Sequence, residues 1–170
     1  MSQRRFFIAV TVVSMLLLVP GIQGFDNGVY NQASGCGCHS QTGTTPASVS
    51  ISGLPNAYDV NKLYQVTVSV SGGVQGSSGG FSLEVDKGTL STGMGLMLVK
   101  VNNQGNSATH TITGSSYRSW SFEWTSPAAG SGTVSFEVAG LTTNGNGQNS
   151  GDRWVTDVVQ VPENIPVNNP

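Results

Sequence analysis

The sequence predicts an all-β domain, an antiparallel β-sandwich of about seven or eight strands behind an irregular N-terminal segment. Three observations predict it. Apolar and polar residues alternate in run after run between residues 47 and 161, the period of a strand with one buried face. Nearly every run is bounded by a Gly-containing turn, and no stretch after residue 24 keeps a helical period of useful length. Charged residues are only 9% of the chain, with Gly, Ser, Thr and Asn filling the spaces between apolar positions. That is the composition of an exported β-protein with neutral, hydrogen-bonding loops rather than of a cytosolic enzyme. Strands with one apolar face each must pack as two sheets over a common core.

The chain opens MSQRRFFIAVTVVSMLLLVPGIQG. Arg4 and Arg5 precede an uncharged apolar run of 14 residues from Phe6 to Val19, and small residues follow to Gly24. This is the pattern of a signal peptide over residues 1–24. The run falls short of the roughly 20 residues that span a bilayer, so no membrane span is expected in the mature chain. Cleavage after Gly21 and a retained N-terminal anchor are the alternatives. "RRFFI" also matches the core of a twin-arginine signal, although the strongly apolar run favours the ordinary unfolded route. Without Arg4 and Arg5, five basic residues face nine acidic ones, a net charge of −4. No basic run remains, and a nucleic-acid partner is not expected. About 146 residues are enough for one domain with a real core.

Residues 25–46, FDNGVYNQASGCGCHSQTGTTP, lack periodicity and read as an irregular segment. The sandwich domain is expected over 47–161. "ASVSISGL" alternates through Val49 and Ile51, and "KLYQVTVSVSG" through Tyr64, Val66, Val68 and Val70. "GGFSLEVDKG" puts Phe81, Leu83 and Val85 on one face. "GLMLVKV" and "ATHTITG" are weaker strands, around Leu96–Val101 and Thr109–Thr113. "YRSWSFEWTSP" aligns Trp120, Phe122 and Trp124, and "GTVSFEVAGL" aligns Val134, Phe136 and Val138. In "DRWVTDVVQV", Val155, Asp157, Val159 and Val161 oppose Trp154, Thr156 and Val158. The aromatic rows, together with Phe81 and Phe136, are expected at the centre of the core, since a stacking platform would need them exposed. Residues 162–170 form a Pro/Asn-rich tail.

The stretches "GCGCHS", "LYQVTVSVSGG", "GGFSLEV", "THT" and "WSFEWTSPAAGSGTVSFEVAGLTTNGNGQNSGD" together resemble the choice-of-anchor V domain proteins of prokaryotic cell surfaces. These are distant relatives of the reelin-type (Reeler) sandwich, so the resemblance implies an immunoglobulin-like or Reeler-like fold. It also implies an extracytoplasmic place, secreted or at the cell surface of a prokaryote. Members commonly carry Cys-x-x-Cys-His, the pattern of c-type haem attachment; this chain has Cys36-Gly37-Cys38-His39, one residue shorter. They also tend to end in a C-terminal anchor. Function does not follow from architecture alone.

Cys36, Cys38 and His39 are three of the chain's four cysteine and histidine residues, within four positions; His110 is the fourth. Three readings compete. In a covalent c-type haem, two thiols add to the vinyl groups and His39 becomes the proximal iron ligand, with Met94, Met97 or His110 on the far side. In a disulfide, the very small Cys36–Cys38 loop would be strained and easily reduced, a poor staple but a redox switch. In a metal site, two thiolates and an imidazole suit copper or zinc, with His110, Met94 or Met97 completing the shell. His110, between threonines, is otherwise a surface or hydrogen-bonded residue. Asn144, Asn146 and Asp152 alternate like calcium ligands, but one carboxylate is few for a divalent ion, and Asn/Gly turns explain the loop equally well. No catalytic triad, paired carboxylates or phosphate loop is present, so an enzyme is not expected unless the cluster carries a redox centre. The function expected is a haem- or metal-binding electron-transfer module with a surface or redox protein partner. The alternative is a non-catalytic adhesion or binding module with a structural or labile disulfide.

Overall fold

The computed structural model describes residues 26–39 and 45–165; the signal peptide expected over 1–24 lies outside them. Nine strands follow in order: β1 (Ala47–Ser52), β2 (Leu63–Gly72), β3 (Gly79–Val85), β4 (Thr89–Ser91), β5 (Val99–Val101), β6 (Ser107–His110), β7 (Ser119–Thr125), β8 (Val134–Thr142) and β9 (Arg153–Val161). They form two antiparallel sheets, β1-β2-β7-β4 and β5-β6-β3-β8-β9. The additional strand is β4, whose three residues carry one buried apolar side chain, Leu90, too little for a period to register. The weak strands are shorter than expected. Residues 93–95 and 113–116 coil into single 3-10 turns, so β5 keeps only Val99–Val101, and β6 starts earlier than expected, at Ser107, and ends at His110. Among the described residues no helix is long and apolar enough to cross a membrane.

The alternation becomes the core. Register pairs Tyr64 with Trp124, Val66 with Phe122 and Val68 with Trp120, so β2 and β7 present one continuous apolar face. Across the sandwich, Leu83 pairs with Val138 and Val85 with Phe136. Trp120, Phe122, Trp124 and Phe136 are all buried. Their rings meet in the offset and edge-on geometries that aromatic quadrupoles favour, with centroids 4.9 Å apart for both Phe81–Trp120 and Trp124–Phe136. Tyr58, in the loop before β2, is fully buried against Trp124 although no period announced it.

Part of the outer face of the five-stranded sheet is also covered, by the irregular segment. Its chain crosses the strands at an angle. Lys100 on β5 donates to the Asn27 carbonyl and sits 5.1 Å over the Tyr30 ring. Three successive backbone N–H groups then donate to side chains below: Asn31 to Ser107, Gln32 to Ser82, and Ala33 to Glu84, each at 3.1 Å. Gly35 comes next, lying on the Trp154 ring of β9 with φ 144°; a Cβ there would sit 2.8 Å from the ring, so only glycine fits. β9 ends at Val161, and the residues after it are pinned: Tyr58 N–H donates to Pro162 and Asn164 N–H donates to Tyr58.

Candidate functional site

The segment delivers its cysteine cluster to the end of the sandwich where β3, β6 and β8 meet. Cys36 is half-buried and Cys38 exposed, and both are free thiols. Burial, together with the neighbouring Cys38, pushes the Cys36 thiol up to about 12, so it stays protonated at neutral pH. The turn closes with His39 N–H donating to the Cys36 carbonyl at 2.8 Å.

His39 is held from the other side of the sequence. Its Nδ1 lies 2.7 Å from Oδ2 of Asp152, a carboxylate only 1% exposed and 113 residues away. Asn149 donates from Nδ2 to the Cys38 carbonyl at 2.7 Å. The loop between β8 and β9 thus grips both residues of the Cys38–His39 pair.

His110 arrives on the last residue of β6, 8% exposed. Its Nδ1 is 3.2 Å from the Phe81 N–H and 3.3 Å from the Phe81 carbonyl. The ring rests over Gly80, where a Cβ would come within 2.6 Å of it. Burial lowers its pKa to about 4, so the imidazole is neutral at any ordinary pH.

Cys36, Cys38, His39 and His110 line one pocket of about 200 Å³, with Val29, Phe81 and Leu141 among its apolar walls. A second pocket of about 220 Å³ shares His39, His110 and Leu141 with it. The two histidines therefore line both spaces. Among the described residues no three His, Cys, Asp or Glu side chains converge closely enough to hold a metal ion. A ready-made copper or zinc shell of Cys36, Cys38, His39 and His110 is thus not formed: the four share walls, not a point.

Met94 and Met97 do not reach this pocket. They are 98% and 73% exposed, on and just after the 3-10 turn between β4 and β5, and neither lines the site. The oxygens of Asn144, Asn146 and Asp152 are turned to the loop's own needs. Asn144 Oδ1 accepts Asn146 N–H, Asn146 Oδ1 accepts Gln148 N–H, and Asp152 Oδ1 accepts Asn144 N–H. Sequence reasoning missed Asp152 as the partner of His39, because nothing local links positions 113 apart.

The sandwich that carries this pocket is similar to the human F-spondin reeler domain, with a TM-score of 0.50 and 18% identity, over 69% of this chain and 92% of that one. The fold is Reeler-like. Two further structures, the Reelin-N domain of F-spondin and another fragment of the human reeler domain, match with TM-scores of 0.49 and 0.48 at 16% identity. They cover 82% and 81% of this chain and 94% and 95% of their own. No family model matches the sequence, and no curated protein matches it. At such identities the Reeler-like likeness speaks to the fold alone, and the chemistry of the pocket has to be argued from its residues.

Proposed function

We propose that this Reeler-like domain is an exported, non-enzymatic electron-transfer module that carries a covalently attached haem between His39 and His110. The observation that carries the reading is the pairing of the two imidazoles. Both line the same pocket as the two free thiols. His39 has Nδ1 held by Asp152, and His110 has Nδ1 beside both the N–H and the carbonyl of Phe81; donation to that carbonyl is the arrangement that leaves Nε2 for a ligand. A haem needs two axial donors and two thiols at its rim, not three ligands meeting at one point; the donor set fits that demand better than a bare ion's. The first of the two spaces has the apolar walls that the face of a macrocycle requires; the second is lined mainly by polar residues and glycines.

Haem, when bound, would supply reversible one-electron chemistry at iron. The chain's own residues do the rest. Cys36 and Cys38 would hold the group through their thiols; the open surroundings of Gly37, where even an added Cβ would meet nothing within 4 Å, would let the shortened spacing adjust. His110 is kept neutral by burial and is therefore ready to donate a lone pair. Phe81, Val29 and Leu141 give the pocket its apolar wall. The signal-peptide pattern read over residues 1–24 would place attachment outside the cytoplasm; a secreted or surface protein of a prokaryote with a redox protein as partner is part of the same proposal.

Intact-mass analysis of the full chain, made in cells with haem-attachment machinery, tests this. The expected result is the mature chain plus one haem, with the colour surviving acid-acetone extraction. A colourless chain, with Cys36 and Cys38 either free or joined by loss of two hydrogens, overturns it.

A second reading, a surface adhesion or binding module, has one specific observation behind it. Met94, Leu96 and Met97 are exposed beside Ile112, whose neighbour Thr111 donates to the Met97 carbonyl at 2.6 Å. A colourless chain that still engages a partner after Cys36→Ala and Cys38→Ala would favour it.

A further inference from the structure

The loop between β8 and β9, residues 143–152, is braced far beyond what a connection needs. Asn144 and Asn146 each fold back to accept an N–H two residues on, at 3.0 and 2.8 Å. Asn144 Nδ2 also donates to the Ser150 carbonyl at 3.2 Å, closing the loop on itself. The rigid result presents two side chains to two adjacent residues of the cysteine cluster. Asn149 takes the Cys38 carbonyl and Asp152 takes the His39 ring, both at 2.7 Å. Burying a carboxylate to 1% exposure costs free energy unless its oxygens are satisfied. Here one oxygen accepts the Asn144 N–H and the other meets the imidazole.

We propose that Asp152 is the positioning residue of the site: it fixes the tautomer and orientation of His39 so that the Nε2 lone pair faces the pocket. As a haem-tuning device this rests on the function proposed above; as a statement about the imidazole it stands on the loop alone. An ionised carboxylate can only accept, so a neutral ring beside it must carry its proton on Nδ1. Nε2 is then unprotonated and free to bind. The same hydrogen bond makes the ring a stronger donor toward a metal, which favours the oxidised state and lowers the reduction potential. An asparagine of the same shape removes this compulsion. Its amide N–H₂ can donate to Nδ1 instead, and the proton then moves to Nε2.

The experiment compares the full chain with its Asp152→Asn variant. Nitrogen-15 NMR of haem-free protein, on the alkaline side of the imidazole titration, reads the tautomer of His39. The expected result is Nδ1–H in the native chain and a reversal to predominantly Nε2–H in the variant. A native chain with His39 as Nε2–H overturns the proposal even if the variant does not fold. A variant with an unchanged tautomer overturns it too. In haem-loaded protein the midpoint potential should move positive in D152N, whereas an unmoved potential means the contact is merely structural. A native chain that takes up no haem defeats the functional reading, while the tautomer still decides the role of Asp152.

Discussion

The five-stranded sheet buries its inner face and part of its outer one, by different physics. Its inner face meets the other sheet through Phe81, Leu83, Val85, Val99, Val138 and Phe136. Its outer face, under residues 26–39, buries Ser82, Ser107 and Thr109 and turns Glu84 toward a backbone amide. The inner contact is stabilised by area removed from water, which is large and insensitive to direction. The outer contact is held by hydrogen bonds, each of which contributes little net energy but demands one geometry. The apolar face therefore makes the domain stable. The polar face fixes where the cysteine segment lies, and a site assembled from an irregular segment needs position more than it needs stability.

The largest effect should come from the inner face. Trp124 is fully buried, stacks with Tyr64 and meets Phe136 edge-on. Trp124→Ala is expected to cost about 3–5 kcal/mol in denaturant unfolding. A loss below about 1 kcal/mol would erase the distinction between the two faces.

His110 sharpens the comparison, since it is a titratable group where apolar ones prevail. In haem-free protein the unfolded imidazole takes a proton below about pH 6.5, and the folded one only below about 4. Between those values the unfolded state holds the extra proton, so stability falls as pH falls through that window and is level above it. The full loss is about 3 kcal/mol from a shift of this size. His110→Gln should remove that slope from the unfolding free energy; an unaltered slope would mean another group carries it.

On the outer face, Ser82→Ala leaves the Gln32 N–H without its acceptor. About 1 kcal/mol of stability should go. More tellingly, hydrogen exchange should speed up at residues 31–33 with the core amides unchanged. Exchange rising equally in both places would mean segment and sandwich open as one unit.

The smallest effect is kinetic. In the haem-free chain iodoacetamide should label exposed Cys38 first, while Cys36, protonated and half-buried, reacts mainly after unfolding. Peptide mapping that finds Cys36 modified first would contradict the burial assigned to the segment.

The same contrast explains what the sequence made legible. Strands β2, β3, β7, β8 and β9 announce themselves because an apolar interface repeats every second residue, and the aromatic core follows directly. β4 escaped because Leu90 alone cannot form a period, and Tyr58 because loops have none. At the site, the local cluster Cys36-Gly37-Cys38-His39 was visible as a spacing, and the pocket brings His110 to it. Its supports were not visible. Ser82 and Glu84 read as the solvent side of their strand, Ser107 lay before the strand expected there, and Asp152 read as a loop oxygen. A hydrogen bond between residues 113 apart leaves no pattern in either neighbourhood.

The central proposal is that His39 and His110 would both ligate the iron of one bound haem. The electron paramagnetic resonance spectrum of the oxidised full chain, matured with haem-attachment machinery, tests it most directly. The account predicts a low-spin signal of two imidazole ligands, turning high-spin in His110→Ala. A high-spin or methionine-ligated signal in the native chain, or a His110→Ala spectrum identical to it, would contradict the account.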